Sequence, residues 1–289
     1  MLCRMSPLYS VKLKESIFVG GGDTEILDDR HTVYEYHPQE DQWMRLPKYE
    51  CVFFAMTVLN NRLMLVGGLK TSSVPLKVTN QIAVWETEGK SQEWTYPYPP
   101  MITPRHSPAV ATYNMWLVVA GGMKSGLNLA TVEVLHTTSR QWWFTSPLPV
   151  KCRNMTSAII QNELFLVGGS LTTQTLVISL HDLIQGSASS AITKTLPQWR
   201  TLSPPPLNCS AALPLRGSLL AIGGRHGNDA RSTAIHTYQP ATNSWSKVGD
   251  LPSARSHCSC TLLPSGDILV AGGTDSNGKL SSRVDTASL

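Results

Sequence analysis

Residues 107–144 read SPAVATYNMWLVVAGGMKSGLNLATVEVLHTTSRQWWF, and this stretch decides the fold. It predicts four short strands, at residues 107–113, 115–120, 131–136 and 141–144. The second strand ends at a pair of glycines, and the third alternates apolar and polar residues as a half-buried strand does. Because no long apolar face with a 3.6-residue period occurs in the chain, strands rather than helices form the framework.

The same pattern repeats along the chain. A Gly-Gly pair follows a short apolar run six times, at spacings of 47, 54, 47, 55 and 49 residues. A tryptophan follows each of the first five pairs after 21 to 31 residues, and a proline-containing segment follows each tryptophan. The pairs begin at Gly20, Gly67, Gly121, Gly168, Gly223 and Gly272, and the tryptophans are Trp43, Trp94, Trp142, Trp199 and Trp245. Three markers in fixed order at one period of about 50 residues indicate a repeat protein.

Six units of four strands resemble the kelch repeats of the galactose-oxidase and kelch-like superfamily. The resemblance is carried by the glycine pairs, the tryptophans, the aromatic pair Tyr34 and Tyr36, and the arginines that follow Pro104 and Pro252. It implies an all-β fold, namely a six-bladed kelch-type β-propeller with four-stranded antiparallel blades. We expect a single domain over residues 1–289, with blades at about residues 8–47, 51–97, 106–149, 154–203, 209–252 and 258–289.

Two segments depart from this pattern. The sixth unit ends in its third strand, at residues 284–289, whereas the first unit has all four strands after Pro7. Residues 2–5 are therefore left over, and we expect them to supply the outer strand of the sixth blade and so remove an open sheet edge. Residues 182–198 insert a Ser/Ala-rich segment, which we expect to project as a loop without a structural role.

Composition excludes several classes of protein. The chain has 24 Lys+Arg against 20 Asp+Glu, a net charge of +4 with interspersed signs, which argues against nucleic-acid binding. No apolar run approaches the ~20 residues of a membrane helix, and the N-terminus has no apolar stretch typical of a secretory signal. The six cysteines lack Cys-x-x-Cys spacing, which excludes zinc ribbons and thioredoxin-like sites. We therefore expect a cytoplasmic protein with reduced cysteines.

Motifs of catalysis and metal binding are absent from the sequence. It contains no His-Glu-x-x-His and no Gly-x-Ser-x-Gly. Cys258 and Cys260 face the same side of a predicted strand while His257 points the other way, so packing explains the two thiols better than a metal site. Some members of the superfamily are copper oxidases, but their paired Tyr and His ligands cannot be assembled from this sequence. We expect no cofactor, no metal and no catalytic residue.

The glycine pairs and tryptophans have structural interpretations. No Lys-Ser/Thr and no helix follows any glycine pair, so positive φ angles and close backbone approach explain the pairs better than a phosphate cradle. One tryptophan per blade fills the wedge between adjacent sheets. Trp85, Trp116 and Trp143 fall outside that series, and only an exposed one would indicate a binding surface.

Two sets of loops are predicted to share one face of the propeller, because strands alternate in direction within a blade. One set follows the glycine pairs and the other precedes the first strands. The candidate binding residues in these sets are Lys70, Lys124, Arg225 and His226, with Tyr49, Arg105, His106, Arg153, Asn154, Asn208, Arg255 and His257. With Asp23 and Asp275 included, the loops carry six cations against two anions, and adding the nearby Glu50 and Asp229 makes it six against four. In kelch-type substrate receptors, which the chain resembles, these loop sets carry the peptide contacts.

The expected function is a protein–protein interaction module. The partner is a protein, which docks a peptide or loop at the mouth of the central channel, and arginine forks favour carboxylate or phosphate groups on it. We expect a monomeric domain, either stand-alone or the substrate-recognition part of a larger protein, that binds neither nucleic acid nor membrane.

Three alternatives remain open at this point. The first is an isomerase or lyase that uses the same funnel, and the second is a cytoskeletal or structural scaffold that binds through the propeller sides. In the third alternative, Arg105 and Arg255 bridge neighbouring blades and contact no ligand.

Overall fold

Each sequence repeat forms one antiparallel sheet. The computed structural model describes residues 8–22, 31–87, 93–169, 174–188, 196–208 and 211–289. Within these residues six sheets of three or four strands follow one another along the chain, together with three smaller sheets at the loops. The prediction of an all-β kelch-type architecture is confirmed.

The first three blades hold the strands of the first half of the chain. Blade 1 contains β1 (Tyr9–Leu13), β2 (Ser16–Gly20), β3 (Tyr34–His37) and β4 (Gln42–Arg45). Blade 2 contains β6 (Ala55–Leu59), β7 (Arg62–Val66) and β10 (Ile82–Glu86), and Thr95 bridges to Val84 where a fourth strand would lie. Blade 3 contains β11 (Ala109–Tyr113), β12 (Trp116–Ala120), β15 (Val132–His136) and β16 (Gln141–Thr145).

The other three blades follow the same order. Blade 4 contains β17 (Thr156–Ile160), β18 (Glu163–Val167), β19 (Thr175–Ser179) and β20 (Arg200–Leu202). Blade 5 contains β21 (Ala211–Leu215), β22 (Ser218–Ile222), β23 (Ala234–Gln239) and β24 (Ser244–Asp250). Blade 6 contains β26 (Ser259–Leu262), β27 (Ile268–Ala271) and β29 (Val284–Ala287).

Short ladders lie beyond the blades, at the loops. They are formed by β5 (Cys51–Val52), β8 (Leu69–Lys70) and β9 (Lys77–Val78), by β13 (Met123–Lys124) and β14 (Leu127–Asn128), and by β25 (Arg255–Ser256) and β28 (Thr274–Asp275). Each ladder pairs segments that the blades themselves do not include, so the loops have a defined backbone arrangement.

The blades close into a ring. The first strand of every blade packs against the first strand of the next, and β26 packs against β1. Six apolar clusters lie between adjacent blades, including one between blades 6 and 1. In β7, Leu63 and Leu65 pack toward blade 1 while Met64 and Val66 pack toward blade 3. Burial on both faces explains why the second strands read as unbroken apolar runs.

The glycine pairs let adjacent blades approach closely. Gly67 has a φ of 65°, and a Cβ there would lie 2.2 Å from the backbone oxygen of Arg105. The Gly68 N–H donates to that same oxygen at 3.0 Å. The pair is therefore a junction between blades, as the structural interpretation predicts, and not a phosphate cradle.

The tryptophans join each blade to the preceding one. Four indole N–H groups donate to backbone oxygens of the preceding blade's last segment: Trp94 to Pro47 at 2.8 Å, Trp142 to Pro99 at 2.9 Å, Trp199 to Ser146 and Trp245 to Ser203 at 3.0 Å. All eight tryptophans are partly buried, so none marks an exposed binding surface.

The inserted segment of blade 4 corrects one expectation. Residues 182–198 were expected to project as a loop without a structural role, but the structure places α1 (Leu180–Ala188) there. Leu183 is fully buried, and its backbone oxygen accepts a hydrogen bond from the Thr145 hydroxyl at 3.0 Å. Ser179 caps the helix by accepting the Asp182 N–H at 3.2 Å. The first part of the insertion, up to Ala188, is thus a helix packed on β16 and β19.

Within the described ranges, no helix has the length and apolarity to cross a bilayer.

Ring closure by the N-terminus remains a prediction, because residues 2–5 lie outside the described residues. Among the described strands, β29 is the outermost of blade 6. Deleting residues 1–5 is expected to cost about 2 kcal/mol and to lower the melting temperature by ~5 °C, because a strand is lost at the join. Replacing residues 2–5 with glycine and serine, at unchanged length, should have the same effect. Calorimetric melting curves that coincide with the wild type would contradict this assignment.

Candidate functional site

The two loop sets meet on one face, as the strand directions predict. In blade 2, Cys51 pairs with Lys70 through β5 and β8. In blade 3, the backbone of His106 exchanges hydrogen bonds of 3.1 and 2.9 Å with Met123. Blades 5 and 6 repeat this pairing between Asn208 and Arg225 and between β25 and β28. The segment before each of these blades is thereby held against the loop that follows its glycine pair.

A left-handed residue recurs two positions before the first strand of a blade. Phe53, Ser107, Asn154 and His257 have φ angles of 55°, 53°, 57° and 54°. The Ser107 N–H donates to Phe53 O at 2.7 Å, and the Asn154 N–H donates to Ser107 O at 3.0 Å. The Leu8 N–H donates to His257 O at 3.3 Å. These bonds link successive blades around the channel mouth and fix the register of the face.

This register separates the three arginines of the predicted site. Arg105 and Arg255 each lie four residues before the first strand of their blade, whereas Arg153 lies three residues before β17. Their side chains differ accordingly, since Arg105 and Arg255 are 0% and 1% exposed and Arg153 is only partly buried. When positions are counted back from the glycine pair, the only reference point that the sequence offers, it is not visible that Arg105 and Arg255 are equivalent and Arg153 is not.

Arg105 is enclosed by blade 3. Its guanidinium pairs with the fully buried carboxylate of Glu133 and donates to the backbone oxygens of Gly121 at 2.7 Å and Thr131 at 2.9 Å. Glu133 also accepts the Ile102 N–H at 2.8 Å. The expectation that Arg105 contacts a ligand is therefore wrong, because its donors are already used inside the protein.

Arg255 repeats the arrangement in blade 6. It pairs with Asp285 and donates to the backbone oxygens of Gly272 at 3.3 Å and Arg283 at 3.2 Å. Its assignment as a ligand contact is corrected because the side chain is 1% exposed and its guanidinium is paired inside the blade. Each arginine fixes the segment that arrives from the preceding blade to the second and third strands of its own blade. This arrangement corresponds to the alternative in which Arg105 and Arg255 bridge blades.

The structure also places Tyr49 in the core and not on the binding face. It is 2% exposed, and its hydroxyl donates to Gly67 O at 3.3 Å. Its ring meets Phe54 edge-on at 5.2 Å and lies 6.0 Å from Trp94. The side chain belongs to the core between blades 1 and 2.

Two blades show what replaces the buried ion pair. The carboxylates of Glu133 and Asp285 lie opposite the residue two positions before their glycine pair. At the matching places blade 2 has Cys51 with Ala83, and blade 4 has Cys152 with Leu176. In blades 2, 3, 4 and 6, these two positions are therefore either both charged or both apolar.

Arg153 and His106 form one cationic sector of the face. Arg153 Nη1 contacts the thioether of Met123 and lies 3.4 Å from Asn128 Oδ1. No carboxylate pairs with it in the part of the chain that the structure describes. Burial, and secondarily the Arg153 charge, lower the pKa of His106, so this imidazole is neutral at pH 7. The positive charge of the sector therefore comes from Arg153.

A second sector lies between blades 5 and 6. Arg225 and Arg231 share one carboxylate, Asp229, at 2.6 and 3.4 Å. Burial, followed by the Arg225 and Arg231 charges, lowers the pKa of His257 to about 4. Asn208 exchanges backbone hydrogen bonds with Arg225 and places its amide beside this sector. Sequence reasoning missed Arg231, because it lies several residues beyond the loop positions that were counted.

The remaining predicted residues lie at the rim. Lys70 is paired with Glu50 at 2.8 Å and adds no net charge. Lys124 is exposed, and no ion pair reaches it within the described ranges. His226 is exposed in the turn that ends at Asp229. The positive charge of the face therefore rests on Arg153, Lys124 and the Arg225–Arg231 pair, against the carboxylates of Asp229 and Asp275.

The channel below the mouth is uncharged. It has a volume of about 300 Å³ and is lined by the first strands of all six blades. Its aliphatic hydroxyl groups come from Ser10, Thr57, Thr112, Thr156, Ser157 and Ser259, Tyr9 adds a phenol, and the described lining includes no Asp, Glu, Lys, Arg or His. The charged side chains of this face therefore lie at the mouth and not along the described channel lining.

The four described cysteines are buried free thiols. Burial raises the pKa of Cys258 and Cys51 to about 11 and that of Cys152 to about 12. Cys260 lies beside Cys258 in the core between blades 5 and 6, and no group of metal-ligating side chains was found among the described residues.

Alkylation with iodoacetamide tests the state of these thiols. We expect the four buried cysteines to react at least about tenfold more slowly in the native protein than in urea, because burial suppresses the thiolate. Mass spectrometry without reductant should find every cysteine free, including Cys3 and Cys209, which lie outside the described residues. A native disulfide would contradict the expected reducing compartment.

Stability should fall as His257 is protonated. Its pKa in the folded protein, about 4, is below the ordinary value of 6.5, so the unfolded chain takes up the proton first as the pH falls. Between pH 6.5 and 4 we expect a loss of about 2 kcal/mol that His257→Gln abolishes. Urea unfolding at both ends of this range measures it, with the exposed His226→Gln as control. An equal loss in His257→Gln would show that another group is responsible.

Known proteins resemble this chain over nearly its whole length. A profile of the Kelch motif matches residues 206–252. Kelch-like protein 35 of Mus musculus is 25% identical over 289 residues, which cover 98% of this chain and 46% of that protein. Kelch-like protein 23 of Homo sapiens is 22% identical over 255 residues, covering 84% and 42%. The solved structure of YjhT aligns with a TM-score of 0.78 at 14% identity, covering 99% of this chain and 95% of that one.

The chain spans less than half the length of these curated relatives. The likeness to YjhT concerns the fold alone, and it agrees with the closed ring of antiparallel blades. The glycine junctions, the tryptophan hydrogen bonds and the motif match all identify the same repeat. The chain carries a Kelch motif and is similar to Kelch-like proteins over most of its length.

Proposed function

We propose that this propeller is a protein-interaction module that binds an acidic peptide or loop of a partner protein at the channel mouth. The observation that carries the proposal is the excess of guanidinium groups over carboxylates. Arg153 pairs with no described carboxylate, and Arg225 and Arg231 share Asp229. Carboxylate and phosphate groups match these forks, and each charge-assisted contact contributes about 1.5–3 kcal/mol.

The geometry of the mouth suits an extended ligand. Two cationic sectors flank an uncharged, hydroxyl-lined channel, so a segment with acidic side chains at both ends can lie across it. We propose that the chain serves as the recognition part of a larger protein, in line with relatives more than twice its length that are named Kelch-like proteins.

The rival functions lack a comparable observation. A general base needs a pKa near the working pH, whereas His257 titrates at about 4 and the channel lining carries no charge. A scaffold that binds through the propeller sides would expose tryptophan on the outer strands, and Trp85, Trp116 and Trp143 are partly buried. The proposal is accordingly a binding module without catalytic residues.

Affinity capture from cell extract tests the proposal. The baits are the wild type, an Arg153→Ala/Arg225→Ala variant, and an Arg45→Ala/Arg62→Ala control that removes two arginines from elsewhere on the propeller. Partners retained by the control and lost by the face variant support binding at the mouth. Equal recovery by all three baits, at equal melting temperatures, would contradict it. Arg105 and Arg255 are left intact, because their removal would test folding instead.

A further inference from the structure

A cleft of about 400 Å³ opens between blades 4 and 5, at the opposite end of the propeller from the mouth. The turns that join the first and second strands of these blades border it, at Gln161 and Gly217, and such turns lie on the face opposite the loops after the glycine pairs. No residue of the proposed peptide site lines the cleft. It is therefore a separate feature of the molecule.

The cleft exists because blade 4 lacks two tryptophans that blade 3 has. In blade 3, Trp116 lies opposite His136 and Trp143 opposite Val134, and their rings are 5.7 Å apart. The same register in blade 4 places Glu163 opposite Ser179 and Arg200 opposite Val177. Glu163 and Arg200 pair with each other instead of filling the wedge.

In blade 3 the two tryptophans are covered by the chain's own helix. α1 packs against β16, and its Leu180 and Leu183 belong to the apolar cluster that includes Trp116 and Trp143. The apolar side chains Leu180, Leu183 and Ile184 follow the i, i+3, i+4 spacing of one helix face. At the equivalent place in blade 4, no described segment covers the cleft. The molecule thus contains its own example of what occupies this position.

The lining of the cleft combines an apolar floor with a rim that carries the Arg200–Glu163 ion pair. Phe165, Leu202 and Leu219 form the floor. Arg200 is 60% exposed and makes a single hydrogen bond to Glu163, so most of its N–H donors face outward. Arg216, in the adjoining turn, is also exposed. An apolar side chain with a neighbouring carboxylate complements both parts.

We propose that this cleft is a second docking site, which takes a short amphipathic helix of a partner protein. The helix inserts a bulky apolar side chain onto Phe165 and Leu219, and an acidic residue one turn away pairs with Arg200. The site does not depend on peptide binding at the mouth, because no residue is shared between them.

Selection from a display library of short helical peptides tests this site. The selected peptides are titrated by calorimetry against the wild type, Ser218→Trp, which fills the cleft, and Arg200→Glu, which reverses its charge. Arg62→Glu is the matched control, since Arg62 forms an equivalent exposed pair with Glu86 in blade 2. We expect acidic, amphipathic peptides whose affinity falls tenfold or more in both cleft variants and is unchanged in Arg62→Glu.

Other outcomes would overturn the proposal. Peptides that bind Ser218→Trp as tightly as the wild type, or a library that yields no binder, would show that the cleft takes no helix. A change of molecular mass in solution between the wild type and Ser218→Trp would show that a second copy of the chain occupies it. Circular dichroism and the melting temperature of each variant show whether it keeps the native fold.

Discussion

Replacing Glu133 with alanine is expected to lower the free energy of unfolding by about 3–5 kcal/mol. Of the single substitutions considered for this protein, it should have the largest effect. The substitution leaves the Arg105 guanidinium without its counterion in a site with no solvent exposure. It also removes the acceptor for the N–H groups of Ile102 and Thr103. Urea unfolding at pH 7 measures the loss.

The chain supplies the control for this substitution. Blade 4 fills the positions of Arg105 and Glu133 with Cys152 and Leu176, so the double variant Arg105→Cys/Glu133→Leu copies an arrangement the fold already contains. We expect it to recover part of the loss, because no unpaired charge remains buried. A double variant less stable than Glu133→Ala would show that the ion pair contributes more than charge compensation. A loss below about 1 kcal/mol in Glu133→Ala would contradict the burial of the pair.

Reversing the charge of Arg153 or Arg225 is expected to weaken binding of an acidic partner tenfold or more. Each reversal removes a charge-assisted contact and adds repulsion. Because both side chains are partly exposed, affinity should also fall as salt increases, and less steeply in the variants. Titration of a partner captured at the mouth, at low and high salt, measures both effects.

The two reversals should leave the fold intact. Neither arginine belongs to a buried ion pair, so the melting temperatures of Arg153→Glu and Arg225→Glu should lie close to that of the wild type. Glu133→Ala provides the opposite pattern, with lower stability and unchanged affinity at temperatures where the propeller is folded. A loss of stability without a loss of affinity in Arg153→Glu would place this arginine with the bridging pair instead.

Most of the fold could be predicted from the sequence because of the repeat period. A glycine pair, a tryptophan and a proline recur in order because each serves one junction between blades, and one junction differs little from the next. The helix α1 was missed although Ser179 and the spacing of Leu180, Leu183 and Ile184 were visible. The Ser/Ala-rich residues around this apolar face are typical of a loop, so the sequence favoured a loop over a helix.

The site was predicted less well, because the sequence does not reveal burial. Arg105, Arg153 and Arg255 look alike as residues that precede a strand, yet only Arg153 faces the mouth. Part of a signal was present, because Glu133 and Asp285 occupy a strand position that is apolar in blades 2 and 4. Glu35 occupies the same position in blade 1, where the matching residue before the first strand is Met5, so the carboxylate alone does not identify a buried arginine. The position of Arg231 at the mouth depends on the conformation of its loop, which no local sequence pattern predicts.

The most direct test of the account is a peptide selection on the immobilised propeller. The selected sequences are titrated against the wild type, Arg153→Glu, Arg225→Glu and the control Arg62→Glu. The account predicts enrichment of acidic peptides whose affinity falls tenfold or more in both face variants and stays unchanged in the control. Peptides without acidic residues, or affinities equal in all four proteins, would contradict an anion-binding mouth.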